Sequence, residues 1–236
     1  MKRIIFLIAL LISVFSFSLA QAQQVSLQKV VLAAVYVPIG FDSINKSQVT
    51  VEGIFQNTCY RVASHTVKIT DNTITITQGA NRYNGICADV LVPFSQVIDL
   101  GILKAGDYDI VDGTSGRNLG TLPVVNAPQK SPATYPDDYL YAPVTDASVL
   151  VDGGRRVVLS GAFTDDCTKL TEIRVQLFKN VIQVLPITER AASGCHHGFH
   201  PFQVSQPLAV ADGHYLLHVR SLSGNAVSKM VDIYAF

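Results

Sequence analysis

The stretch Val49-Thr-Val-Glu-Gly-Ile-Phe-Gln-Asn-Thr-Cys59 decides the fold of this chain. Apolar and polar residues alternate along it, so that Val49, Val51 and Phe55 point to one side of an extended segment and the residues between them to the other. A period of two residues is typical of a half-buried β-strand. The stretch therefore predicts a strand that ends shortly before a cysteine.

The same pattern recurs 108 positions further along the chain. Glycines, phenylalanines, cysteines and a Pro-Phe pair match, namely Gly53 with Gly161, Phe55 with Phe163, Cys59 with Cys167, Asn72 with Asn180, Cys87 with Cys195, and Pro93-Phe94 with Pro201-Phe202. One deletion later, Gly106-x-Tyr108 matches Gly213-x-Tyr215. Matches of several residue types in constant order indicate internal duplication of a whole folding unit.

Other segments of the first copy are also strand-like. Residues 73–77 alternate Thr and Ile, and the preceding Asp71-Asn72 pair suits a tight hairpin, as does Lys179-Asn180 in the second copy. Candidate strands lie near 29–37, 48–56, 65–70, 73–78, 87–92, 96–100, 106–111 and 119–125, and no helical run is evident. Seven or eight short strands in about 100 residues are typical of a β-sandwich. The predicted fold class is all-β, with two tandem β-sandwich domains.

The N-terminus has the pattern of an export signal. Lys2 and Arg3 precede an apolar run from Ile4 to Phe17, and Ala20-Gln-Ala22 offers a cleavage site. The run is shorter than the roughly 20 residues that span a bilayer, so no retained transmembrane segment is expected. Residues 1–22 are therefore predicted to be a signal peptide, and the mature protein to be soluble in the periplasm or secreted.

The domain boundary is indicated by composition. Residues 127–138 contain three prolines and few apolar side chains, which is typical of a stiff, extended linker. We therefore expect domain 1 at residues 23–126 and domain 2 at residues 139–236.

The predicted export indicates that the four cysteines form structural disulfides, as cysteines do in oxidising compartments. Four cysteines allow three pairings. Cys59 and Cys87 are 28 positions apart, and so are Cys167 and Cys195, which selects pairing within each copy. Closing loops of this size is expected to stabilise each domain by about 3–4 kcal/mol.

The repeated unit resembles the tandem immunoglobulin-like β-sandwich domains of secreted bacterial proteins, with one disulfide per domain. The resemblance lies in the Gly-x-Phe-x-x-x-Cys pattern, the hairpin, the second cysteine, the Pro-Phe pair and the Gly-x-Tyr strand. The chain lacks Trp, and its cysteine spacing is shorter than that of antibody domains. The resemblance implies architecture and no particular activity.

Charge excludes one class of partner. Without Lys2 and Arg3, 16 of the 18 basic residues remain against 18 acidic ones, and they form no basic patch. Nucleic-acid binding needs clustered Lys and Arg, so no nucleic-acid partner is expected.

Histidines supply the candidate site. Five of the six lie in the second copy, and a strand would place His214 and His218 on one side, with His196 and His200 on one side if their segment is extended. Imidazole is a common ligand of zinc and copper, so these four residues are candidate metal ligands. The alternative is that they form ordinary hydrogen bonds, because no established ligand spacing is present.

Catalytic motifs are not apparent. Cys195-His196 resembles a thiol next to its base, but the repeat assigns Cys195 to a disulfide, and Gly113-Thr-Ser115-Gly116 lacks the context of a serine hydrolase. Tyr135, Tyr139 and Tyr141 are expected to pack between the domains, with a solvent-facing contact as the alternative.

The sequence thus predicts a non-catalytic exported module that binds a protein or envelope component. The alternative is a module that binds a transition metal through domain 2.

Overall fold

The structure is a computed structural model that describes residues 25–127, 141–191 and 193–234. The predicted signal peptide lies outside the described residues. So do Tyr135, Tyr139 and all of the predicted linker except Ala127. The cleavage site and the domain boundary therefore stay predictions.

Nine strands form domain 1. They are β1 (Val25–Val30), β2 (Leu32–Tyr36), β3 (Phe41–Asp42), β4 (Lys46–Phe55), β5 (Tyr60–Thr70), β6 (Thr73–Tyr83), β7 (Val92–Ile102), β8 (Gly106–Asp112) and β9 (Asn118–Val125). Strands β2, β4 and β7 form a three-stranded sheet, here the small sheet. Strands β5, β6, β8 and β9 form the large sheet, with β1 beside β6 and β3 beside β9.

Seven strands and one turn of 3-10 helix, Leu222–Gly224, form domain 2. The strands are β10 (Val144–Leu150), β11 (Arg156–Asp165), β12 (Thr168–Phe178), β13 (Val181–Arg190), β14 (His197–Pro207), β15 (Gly213–Arg220) and β16 (Ala226–Ile233). Strands β10, β11 and β14 form its small sheet, and β12, β13, β15 and β16 form its large sheet. The all-β prediction is confirmed.

Each domain has its own hydrophobic core between its two sheets. Leu32, Val49, Ile74 and Ile110 belong to the first core, and Leu159, Ile182, Leu217 and Ile233 to the second. Burial alternates along strands such as β8, as the sequence pattern predicts, and the core takes the apolar side of each strand.

Strands β4 and β7 of domain 1 pair in the same register as strands β11 and β14 of domain 2. Gly53 lies opposite Phe94, and Gly161 lies opposite Phe202. A Cβ atom at Gly53 would come within 2.4 Å of the Phe94 ring, and one at Gly161 within 2.7 Å of the Phe202 ring. The glycines of the repeated pattern therefore make room for the phenylalanines of the Pro-Phe pairs. Duplication itself stays a prediction.

The repeated tyrosines also have one role. The Tyr108 hydroxyl donates a hydrogen bond to the Lys104 carbonyl at 3.0 Å, and the Tyr215 hydroxyl donates one to the Ala211 carbonyl at 3.3 Å. A tyrosine that bonds back to the backbone a few residues upstream is a hallmark of immunoglobulin-like sandwiches. The parallel pairing of β6 with β8, and of β13 with β15, departs from the antiparallel sheets of antibody domains.

One predicted strand is wrong. Residues 84–91 form a loop, and β7 replaces the candidates at 87–92 and 96–100 with a single strand. The loop is held by Thr58, whose backbone N–H donates to the Ala88 carbonyl at 3.1 Å and whose hydroxyl accepts from the Ala88 N–H at 2.9 Å. These bonds, together with the adjacent Cys87 disulfide, take the place of a strand ladder.

Candidate functional site

Both disulfides are present with the predicted pairing, Cys59–Cys87 and Cys167–Cys195. Each closes the base of a hairpin, β5–β6 or β12–β13, at the points where the chain crosses to the small sheet. The described residues contain no free cysteine. Among those same residues, no helix has the length and apolar character needed to span a membrane.

The four candidate metal ligands are divided between two regions of domain 2. His196 directly precedes β14 and His200 lies on β14 in the small sheet, whereas His214 and His218 are on β15 in the large sheet. Strand β14 pairs with β11, and β15 pairs with β13 and β16, so the two segments are not neighbours. Within the described part of the chain, no group of three or more His, Cys, Asp or Glu side chains is arranged to hold a metal ion.

His196 and His200 are both exposed. The His196 ring nitrogen Nδ1 lies 3.1 Å from Asp166 Oδ2, and its backbone N–H donates to Asp166 Oδ1 at 2.8 Å. The backbone bond is the larger cause that lowers the pKa of Asp166, followed by the side-chain bond. His196 therefore ties the Cys195 loop to the loop before Cys167.

The other two histidines lie where the domains meet. The outer side of the small sheet of domain 1 packs against the outer side of the large sheet of domain 2, a surface we call the domain contact. Consecutive residues are buried along β4 and along β15, although alternate burial is the rule for a sheet with one open side. Both sides of these strands are therefore covered, one by the core and the other by the neighbouring domain.

His214 links the domains through two carboxylates. Its Nε2 lies 2.8 Å from Glu52 Oε1 on β4 of domain 1, and its Nδ1 lies 2.6 Å from Asp232 Oδ1 on β16. The Tyr36 hydroxyl donates to the other oxygen of Glu52 at 2.7 Å, and its ring meets the His214 ring edge-on. An imidazole donates from both nitrogens only when it is protonated. Burial lowers the pKa of His214, but the bonds with Glu52 and Asp232 outweigh burial and raise it.

His218 has the opposite environment. It is fully buried, and its ring packs edge-on against Phe41 of domain 1 with 6.2 Å between the ring centroids. Its Nδ1 lies 2.9 Å from the Ser228 hydroxyl, which donates to Gln48 Oε1 at 3.3 Å. Burial, and to a smaller extent the Arg220 charge, lower the pKa of His218 to about 3, so this imidazole is neutral.

Further polar and aromatic groups complete the domain contact. The Ile39 N–H of domain 1 donates to Gln183 Oε1 of domain 2 at 2.9 Å. The guanidinium of Arg220 lies 5.0 Å from the ring centre of Phe41 and 5.8 Å from that of Tyr141. Tyr141 is buried, as expected for a packing role.

A cleft of about 290 Å³ borders the domain contact. Domain 1 lines it with β2 and β9, through residues such as Val35 and Leu119, and domain 2 lines it with the hairpin turn at Lys179-Asn180. The Lys179 ammonium lies over the Phe178 ring at 5.5 Å. The hairpin turns have the predicted left-handed residues, since φ is 50° at Asp71 and 51° at Lys179.

The small sheet of domain 2 has an outer side that no other described part of the chain covers. Ala162 lies opposite Pro201, and Ser160 lies opposite Gln203, in a shallow groove of about 520 Å³. Phe199 also lines this groove, and 79% of its side chain is exposed. We call this surface the open face. In register, Ser160 is the equivalent of Glu52, which in domain 1 bonds to the other domain.

Comparison with known families gives one match. A family model described as the ORF11 beta-sandwich domain matches residues 49–116. This segment runs from β4 to the turn after β8 and includes the Cys59–Cys87 bridge, so the family is a β-sandwich in the same part of the chain where the structure has one. Among curated proteins and among solved structures, nothing matches the chain.

The domain contact is not predicted by the polar residues that form it. Its buried polar groups include Gln48, Gln183, His218 and Arg220, which a strand pattern assigns to a solvent-facing side. A signal was present in the near-continuous apolar runs at 181–187 and 215–219, because strands covered on both sides lose their alternation.

Proposed function

We propose that this chain is a non-catalytic, exported module that binds a protein or another envelope component through the open face of domain 2. The observation that carries the proposal is the contrast between equivalent surfaces. In domain 1 the outer side of the small sheet is covered by a sheet of domain 2, whereas in domain 2 none of the described residues covers the same side, which carries Phe199.

The chemistry of the open face suits a protein partner. Phe199, Pro201 and Ala162 supply apolar surface, and Gln203, Ser160 and Thr145 supply polar groups around it. Exposed aromatic residues with a polar surround are typical of protein-binding sites. A sheet holds these side chains in fixed positions, so little conformational entropy is lost when a partner binds.

Two features support a non-catalytic role. All four cysteines are in disulfides, which leaves no thiolate nucleophile among them. His214 lies between two carboxylates and so makes no bond to a hydroxyl or thiol that it would activate. Two disulfides also fit an oxidising compartment, in keeping with export to the periplasm or cell exterior.

Site-specific photo-crosslinking in cells tests the proposal. A photoreactive phenylalanine analogue at position 199 is expected to give one discrete adduct with an envelope component. The matched control is Thr66, an exposed residue on the large sheet of domain 1, which is expected to give none.

The substitution Ala162→Asp places a charge in the groove and is expected to abolish the adduct formed from position 199. The absence of an adduct from position 199, or the same adducts from both positions, would overturn the proposal.

A further inference from the structure

The domain contact contains two histidines that depend on pH in opposite ways. They lie on the same side of β15, two positions either side of Leu216. His214 is held by carboxylates from both domains, and His218 is buried against Phe41. One histidine is best placed in the contact when charged and the other when neutral.

Among the described residues, His218 has no acidic partner that would balance a positive charge on its ring. Ser228 is its hydrogen-bond partner at Nδ1, and its Nε2 has none among the described residues. Arg220, two residues along the same strand, brings a positive charge within 5.0 Å of the centre of the same Phe41 ring. Protonation would therefore bury two like charges beside one aromatic ring.

Other elements around His218 provide little compensation. Strands β3, β13 and β4 face it with Phe41, Gln183 and Gln48, all of them uncharged. Two charged residues, Lys46 and Asp99, line an open cleft of about 580 Å³ together with Gln48 and Ser228. Water reaches this cleft, so separation of the domains would hydrate the imidazolium.

We propose that the domain contact is a pH-dependent switch, in which acidification protonates His218 and separates the two domains, while deprotonation of His214 loosens the same contact on the alkaline side. The chain would then present its domains rigidly joined near neutral pH and free to move in acid. Separation would also uncover Glu52, Thr50 and Gln48 of the small sheet of domain 1.

The direction in which each histidine makes the contact depend on pH follows from the direction of its pKa shift. The pKa of His218 is lowered from its usual value near 6.5 to about 3, so its neutral form stabilises the contact above about pH 6.5 and that contribution is lost as pH falls towards 3. The pKa of His214 is raised, so its contribution is complete below about pH 6.5 and is lost as pH rises through the raised value. Tyr36, Glu52 and Asp232 are the titratable groups that face His214.

Thiol labelling of the full chain measures the opening directly. Leu216 is fully buried on the side of β15 that faces domain 1, whereas Leu217 is fully buried in the core of domain 2. The measured quantity is the rate at which a disulfide reagent labels the introduced cysteine, divided by the rate at which it labels a small free thiol at the same pH. In Leu216→Cys, this labelling ratio reports separation of the domains. In Leu217→Cys, the same ratio reports unfolding of domain 2.

The expected result for Leu216→Cys is a labelling ratio that rises by about tenfold for each pH unit below about 6.5, because opening takes up one proton. Leu217→Cys is expected to stay protected. Adding His218→Asn is expected to abolish the acid rise, and adding His214→Gln to abolish the smaller rise at alkaline pH while leaving the acid rise unchanged.

Three outcomes would overturn the proposal. They are a Leu216→Cys ratio that does not change with pH, an equal rise in Leu217→Cys, and an acid rise that persists with His218→Asn. Should His218→Asn not fold, NMR titration of the wild-type imidazoles decides, because a folded-state His218 that titrates near pH 6.5 contradicts the burial on which the switch depends.

Discussion

Domain 1 and domain 2 are built with the same internal contacts but present different outer surfaces. Each has a glycine beneath a phenylalanine ring, a tyrosine bonded to the backbone four residues upstream, and a disulfide at the base of one hairpin. The outer side of the large sheet differs, since Thr73, Thr75 and Thr77 in domain 1 correspond to Val181, Gln183 and Leu185 in domain 2.

This difference distinguishes the residues that stabilise each sandwich from those that contact a neighbour. The internal contacts recur because both sandwiches need them, and the outer residues differ because, in the described part of the chain, the large sheet of domain 2 packs against a neighbour and that of domain 1 does not. Function is therefore to be sought on the outer sides of the sheets, where the two domains differ.

The largest expected effects test the internal contacts. Phe94 is almost fully buried and stacks on Phe55 with 4.4 Å between ring centroids, whereas Phe202 is half-buried and tilted against Phe163 at 4.9 Å. We expect Phe94→Ala to lower the free energy of unfolding by about 3–5 kcal/mol, and Phe202→Ala by less, because less apolar surface is lost. Urea unfolding measures both.

Phe199→Ala is the matched control for that comparison. The side chain is largely exposed, so we expect its removal to change stability by less than about 0.5 kcal/mol. An effect of Phe199→Ala as large as that of Phe202→Ala would show that the internal contacts do not dominate domain 2.

Removal of the disulfides comes next. We expect removal of either disulfide to lower the free energy of unfolding by about 3–4 kcal/mol, because the two loops have the same length. The double variants are Cys59→Ser with Cys87→Ser, and Cys167→Ser with Cys195→Ser. Calorimetry of the two double variants measures this. A loss below about 1 kcal/mol in one domain alone would mean that its bridge is redundant with nearby bonds, such as those of Thr58 or Asp166.

The smallest effect is expected at the tyrosines. Tyr108→Phe and Tyr215→Phe each remove one hydrogen bond to a backbone carbonyl and keep the ring, so we expect a loss of about 1 kcal/mol in each case. Thermal unfolding of both variants measures it. A neutral result in one domain would identify the domain in which water replaces the hydroxyl.

Much of the fold is predictable from the sequence because its determinants are local. Alternation identifies β4 and β6, the Asp71 and Lys179 positions identify the hairpin turns, and equal spacing identifies the cysteine pairs. The prediction of a strand at 87–92 is wrong because Val90 and Leu91 are apolar but exposed, in a loop that covers residues 84–91.

The candidate site is less predictable because it depends on which sheets meet. Alternation correctly places His214 and His218 on one side of β15, but it does not reveal that Glu52 and Phe41 lie across from them. His196 and His200 could meet His214 and His218 only if β14 and β15 were neighbouring strands, which they are not. The order of strands is set by long-range packing, which the local sequence pattern does not show.

The placement of the disulfides bears on how the chain matures. Each bridge joins cysteines that are consecutive in the sequence, Cys59 to Cys87 and Cys167 to Cys195. A polypeptide that enters an oxidising compartment N-terminus first exposes Cys59 and Cys87 before either of the later cysteines arrives. For the predicted exported chain, an oxidase that joins cysteines in order of appearance would form only native pairs, and we expect its oxidative folding to need no disulfide isomerase.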